Sequence, residues 1–187
     1  MAQSQTYDAD MLAIEAIQAG DRYAFSDLVR RHDRWVKGVI YGVLGLQDMV
    51  EDVAQRVWTS AWHRIGELRD ADRWRPWLYR LARNAAIDAG REATRRRSRF
   101  QALAGDLPEA DAARRGRSDP ELAERHQKVL DVVAALPALY REPFVLRHLS
   151  GWSYRQIAEV MEMPVDSVET RLVRARRMLR EALQDKV

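Results

Sequence analysis

The chain has 187 residues, enough for one ordinary domain or two small helical ones. Apolar residues make up 47 % and charged residues 32 %, so a packed core fits under a highly solvated surface, while the net charge of +3 does not by itself announce a nucleic-acid binder. The lack of cysteine removes disulfides, thiolate chemistry and cysteine-ligated zinc. With no signal peptide or membrane-length apolar run in view, the expectation is a soluble, cytoplasmic protein without stable membrane insertion.

Apolar residues recur at three- and four-residue steps almost throughout, which predicts an all-α fold. A first helix over Asp10–Ala19 stops at Gly20. Asp21 caps a second, which carries Phe25, Leu28, Val29, Trp35, Val36, Val39 and Ile40 and is closed by Gly42 and Gly45. The third, about Gln47–Ile65, places Met49, Val53, Val57, Ala61 and Ile65 on one face, with Asp48, Glu51 and Asp52 near its start, where the helix dipole favours anions. Gly66–Arg75 lacks a helical stripe and reads as an ordered loop. Pro76 suits the first turn of the next helix, buried through Trp77, Leu78, Leu81, Ala85 and Ala86 and ending in the basic run REATRRRSR.

Residues 101–119 are poor in large apolar side chains and read as an interdomain linker. Asp119–Pro120 starts a helix that reaches Leu136, where Pro137 forces a break; the next carries Phe144, Val145 and Leu149 to Gly151. Ser153 and Gln156 form a capping box for a short helix, Tyr154–Met161, and a turn at Glu162–Pro164 leads to a last helix over Val165–Leu183. The expected architecture is two small helical domains, 1–98 and 120–187, joined by a flexible linker over 99–119, the C-terminal one containing a helix-turn-helix.

That motif is Ser153–Arg177. Ile157, Ala158, Met161, Val168 and Leu172 sit where two short helices must pack closely, and Ala158 is small where they cross. The second helix then offers Arg171, Arg174, Arg176, Arg177 and Arg180, and arginine forks phosphate oxygens or the O6/N7 edge of guanine. A solvated face on an ordinary amphipathic helix is the plainer reading; capping box, small crossing residue and tight turn together favour duplex DNA.

Four blocks, AFSDLVRRHDRWV, EDVAQRVWTSAWHRI, WRPWLYRLARNAAIDAGRE and LPALYREPFVLRHLSGWSYRQIAEVMEMPVDSVETRLVRARRML, together resemble the extracytoplasmic-function sigma factors. The resemblance covers nearly the whole chain in the family's order. It implies a transcription initiation factor that binds core RNA polymerase and directs it to promoter DNA, as duplex and as melted single strand. It implies neither catalytic residues nor a metal or other cofactor, and an anti-sigma factor as a restraining partner.

Residue by residue, the resemblance makes Asp52, Gln55 and Trp58 a polymerase-binding surface, with Glu51, Arg56 and Trp62 as neighbours. Arg56 stands where the family usually has an acid, and for Trp58 and Trp62 burial and contact are both open. Gly66–Arg75 and Trp77–Arg91 match the module that melts and reads the −10 element, through Trp74, Arg80, Arg83, Asn84, Asp88 and Arg91. Trp77 shares a face with Leu81 and reads as core. Arg95, Arg96, Arg97 and Arg99 would track phosphates, and Asp106, Glu109 and Asp111 would lie along the polymerase's RNA exit path.

The −35 element falls to Ser167, Glu169, Thr170, Arg171, Arg174, Arg176 and Arg177. Three departures from the family pattern stand out there. Glu162 occupies a turn position where glycine is frequent, and a left-handed backbone would cost it about 1 kcal/mol. Asp166-Ser167 replaces the commoner Gly-Thr. Glu169 stands where a basic residue is usual and lacks a basic partner three or four residues on, so accepting from cytosine N4 and simple solvation are both open.

Two other classes compete. A plain helix-turn-helix regulator explains Ser153–Arg180 but leaves WLYRLARNAAID unexplained. A nuclease would recruit Asp48, Glu51, Asp52 and His63 as metal ligands, yet helix-start electrostatics account for the acids and His63 lies about three turns away. The expectation is therefore a binding protein without enzymatic activity.

Overall fold

The computed structural model describes residues 2–104 and 130–184, and the helices in it follow the apolar spacing while their ends follow local caps. α1 (Ala2–Gln18) begins earlier than its apolar stripe required and stops before Gly20, which has φ 97°. α2 (Arg22–Leu44) starts at the predicted cap: an Asp21 carboxylate oxygen accepts from the backbone N–H groups of Tyr23 at 2.8 Å and Ala24 at 3.2 Å. Gly42 lies inside α2 rather than closing it; termination falls to Gly45, left-handed at φ 69°. α3 (Val50–Arg64) buries Val53, Val57 and Ala61, with Ile65 just beyond its end, as the four-residue spacing requires.

The expected loop contains two single 3-10 turns, Ile65–Glu67 and Ala71–Arg73. Asp70 caps the second, and the Gln18 amide donates to the carbonyls of Ile65 (3.0 Å) and Leu68 (2.9 Å), tying this segment to α1. α4 (Trp74–Ala104) is a single 31-residue helix, so residues 99–104, expected to open the linker, are helical. Arginine, glutamine, alanine and leucine are all good helix formers, and the Arg96–Glu92 pair at 3.2 Å offsets some of the cationic repulsion. Asp106, Glu109, Asp111 and the Asp119–Pro120 helix start lie outside the described residues.

The chain is helical again at 130–134. Pro137 opens α5 (Ala138–His148), and both halves of the capping box are present before α6 (Tyr154–Val160): Ser153 Oγ accepts from Gln156 N–H at 3.3 Å, and Gln156 Oε1 accepts from Ser153 N–H at 2.8 Å. α7 (Val165–Gln184) completes the helix-turn-helix and packs through Val168, Leu172 and Ala175; Ala158 is buried at the crossing. Among the described residues there is no strand, and no helix is long and apolar enough to cross a membrane.

α2 is the central post. α1, α3 and α4 pack around it, and α5 lies across its C-terminal half, so the buried cluster runs unbroken from the N-terminal domain into the C-terminal one. Glycine makes the close approach possible: a Cβ on Gly42 would stand 3.1 Å from the Cα of Glu142. Trp35 meets Trp152 with ring centroids 5.0 Å apart. Arg141, almost fully buried, donates to the carbonyls of Gly42 and Val43 (both 2.8 Å), Leu136 (3.0 Å) and Ala134. A cation from one domain thereby satisfies carbonyls left open in the last turn of a helix in the other.

Candidate nucleic-acid and protein interfaces

Three faces carry the residues singled out by the sequence. On α3, Glu51, Asp52, Gln55 and Arg56 are exposed and continue through Thr59, Ser60, His63 and Arg64 as a shallow concave strip. Lys37 holds Glu51 at 2.8 Å and Asp33 at 2.7 Å, and both bonds keep its ammonium above its ordinary range. Arg56 approaches Glu92 at 3.9 Å, while the Asp52 and Gln55 side chains make no bond among the described residues. Trp58 turns inward: it is 7 % exposed, its indole N–H donates to Asp33 at 2.8 Å, and Phe25 meets its ring edge-on. Trp62, half-buried against Phe25, sits at the rim.

On α4, Arg80, Arg83, Asn84, Asp88 and Arg91 fall on one side. Asn84 is exposed and unbonded, and Asp88 and Arg91 are exposed, 3.8 Å apart. Arg80 and Arg83 are engaged by the other domain. Arg80 Nη1 reaches Glu162 at 2.6 Å; Arg83 forks Glu142 at 3.0 and 3.4 Å, and the Tyr79 hydroxyl donates to the same carboxylate at 3.0 Å. Burial first, then the Glu142 charge, pushes the Tyr79 phenol far above its usual range, and the Glu142 bond raises the Arg83 guanidinium. Trp77 is half-buried against the core.

Trp74 offers no aromatic face to a strand in this arrangement. It is 1 % exposed, with the His32 ring 4.7 Å away and Trp35 6.4 Å away. The same region holds a cluster that sequence reasoning missed. Asp10, fully buried, accepts from Arg31 at 2.7 Å, His32 Nε2 at 2.9 Å and Arg75 at 3.1 Å, while the Trp35 indole donates to His32 Nδ1 at 3.1 Å. Burial opposes the charge on Asp10, but the bonds from His32 and Arg75 and the adjacent Arg31 outweigh it and hold the carboxyl below its ordinary value. The available signal was positional: Asp10 shares a helical face with the buried Ile14 and Ile17, four and seven residues on.

On α7 the predicted residues divide between two flanks. Helical geometry puts Ser167, Thr170, Arg171, Arg174 and Arg177 in one band, and Glu169, Arg176 and Arg180 on the other side. Arg174 lies 3.4 Å from the Tyr140 hydroxyl and Arg177 3.7 Å from Glu181, whereas Arg171, half-buried, has no bond among the described residues. Arg176 and Arg180 line a groove with Phe144, His148, Leu179 and Leu183. Burial, then the charges of Arg147 and Arg176, lowers the His148 pKa.

Residues 28–96 match the family description "Sigma-70 region 2" and residues 126–179 "Sigma-70, region 4". The chain is 33 % identical to an ECF RNA polymerase sigma-E factor from Haemophilus influenzae, over 94 % of this chain and 95 % of that one. It is 32 % identical to an RNA polymerase sigma-H factor from Pseudomonas aeruginosa, over 96 % of both. A solved structure of CnrH in complex with the cytosolic domain of CnrY matches with a TM-score of 0.70 and 26 % identity, over 96 % of this chain and 99 % of that one. Two sigma regions in order, on relatives matched end to end, establish the assignment: the chain belongs to the extracytoplasmic-function sigma factors, initiation factors that bind core RNA polymerase and direct it to promoters.

Proposed function

We propose that the three faces divide the work of initiation. The α3 strip around Glu51, Asp52, Gln55 and Arg56, with Trp62 at its rim, docks on polymerase. The α4 face of Arg80, Arg83, Asn84, Asp88 and Arg91 holds the melted −10 strand. The α7 band of Ser167, Thr170, Arg171, Arg174 and Arg177 reads the −35 duplex, with Glu169 and Arg176 on its far flank. Residues 1–98 and 120–187 are the corresponding domains. The chain acts in the cytoplasm by binding alone, without catalytic chemistry or a cofactor. Its likeness to CnrH, solved in complex with the cytosolic domain of CnrY, supports a protein partner for this chain, which on this reading is an anti-sigma factor.

The observation that carries this reading is the α4 face. The cations at 80, 83 and 91 share one side of the helix with the exposed Asn84 amide, so that phosphate contacts could lie beside a group able both to donate to and to accept from a base edge. A regulator that only bound duplex would have no use for it. Asn84→Ala should reduce open-complex formation by holoenzyme more than closed-complex binding, read as permanganate reactivity of the melted segment. Unchanged reactivity would remove Asn84 from the strand site.

A further inference from the structure

The two domains of this chain meet through the cations assigned above to the promoter strand. Glu142 of α5 takes the Arg83 guanidinium and the Tyr79 hydroxyl, and Glu162 takes Arg80. The carboxylates thus stand where strand phosphates would otherwise be.

Glu162 is the telling residue. It sits in the helix-turn-helix turn with φ 52°, the one non-glycine residue with positive φ among those described, at a position glycine would fill at lower cost. A glycine there could not reach Arg80. Nor are the contacts a chance grazing of two surfaces. Glu142 is 5 % exposed, Arg141 beside it fills four carbonyls, two of them in the last turn of α2, and Gly42 leaves room for the backbone of α5.

The closure is also selective. The band of Thr170, Arg174 and Arg177 on α7 and the Asp52–Gln55 strip on α3 stay exposed, while Arg80 and Arg83 are occupied. We infer that the free chain rests closed, with Glu142 and Glu162 acting as an internal competitor that keeps Arg80 and Arg83 from single-stranded DNA until the domains separate. This rests on the reading of α4 as the strand-holding helix.

The test uses the full chain without polymerase and a fluorescent single-stranded promoter oligonucleotide, with binding read by anisotropy. A ligand that needs the open state binds more weakly by the open fraction, so any loosening of the latch appears directly as a gain in affinity. Loss of the exposed Arg80–Glu162 pair should contribute about two- to fivefold. Loss of the buried Glu142 charge should contribute on the order of tenfold. Glu142→Gln with Glu162→Gln should therefore bind the oligonucleotide roughly thirtyfold more tightly than the parent.

Two further variants separate closure from bulk charge. Gly42→Leu leaves every charge in place but drives a side chain into the α5 backbone, and should raise affinity as well. Glu159→Gln removes an exposed acid that holds neither arginine, and should not. No gain in either opening variant, or an equal gain in Glu159→Gln, overturns the proposal. A gain that survives addition of Arg80→Ala and Arg83→Ala overturns the competition and places the fault in the strand assignment of α4.

Discussion

Replacing Asp10 by asparagine keeps the shape of a fully buried side chain while removing the charge that joins α1, α2 and the start of α4. Three charge-assisted bonds meet there, from Arg31, His32 and Arg75, and such bonds each contribute about 1.5–3 kcal/mol. The sum overstates the loss. Arg31 and Arg75 keep 32 % and 23 % of their side-chain surface and can turn to water, and the carboxylate no longer bears its own desolvation. A net loss of about 3 kcal/mol remains, which for a chain of this length lowers the melting temperature by about 6–12 °C.

The pH dependence gives a second reading. The folded state holds the Asp10 carboxyl below its unfolded value, so the unfolded chain takes up the proton first as acid is added. The stabilisation is complete above the unfolded value and fades as pH falls through the lower folded one. Thermal melts of parent and variant should differ at neutral pH and converge in acid. Equal melting temperatures at neutral pH, or a gap that does not narrow on acidification, would refute the account of the cluster.

Two other outcomes concern the working faces. Asp52→Lys with Gln55→Ala touches only exposed groups on α3 without side-chain bonds among the described residues, and should cut co-purification with core polymerase at least tenfold while lowering the melting temperature by only about 2–4 °C, the cost of reversing one helix-start charge. On α7, Arg171→Ala should cost about 1–3 kcal/mol and relax preference at one upstream base pair, because it lies near the helix start. Arg177→Ala should weaken all promoters alike and lower the salt slope by about one. Holoenzyme binding to single-base promoter variants at several salt concentrations separates the two.

Much of the frame was legible because it repeats at helical spacing. The α3 stripe and the Ser153–Gln156 box each follow from a local rule and stand as expected, while Glu162 takes the left-handed backbone whose cost was weighed for that turn. What was hidden depends on partners far along the chain. Asp10 gains its meaning from residues 21, 22 and 65 positions away, and Trp74, read as a surface for bases, is enclosed by His32 and Trp35. The pair Arg141-Glu142 is invisible in LYREPF, where two charges among apolar residues look like an ordinary helix surface. The length of α4 was missed for a different reason: a run of cations carries no apolar stripe, yet its residues favour helix.

Closure also limits how the chain can be opened. A partner shifts an equilibrium only by its difference in affinity for the two states, and moving a population from 99 % closed to 99 % open takes about 5.5 kcal/mol of such difference. The α3 strip is exposed in the closed chain, so contacts made to that strip alone favour neither state. It can recruit the chain to polymerase, but it cannot separate the domains. The work of opening therefore falls to contacts that exist only once they part. On the proposed assignment these are strand phosphates on Arg80 and Arg83, in place of Glu162 and Glu142, and promoter contacts to a C-terminal domain that has left α2. The carbonyls of Gly42 and Val43 that Arg141 would leave lie in the last turn of α2, where water can satisfy them, so undoing the latch need not unfold the N-terminal domain.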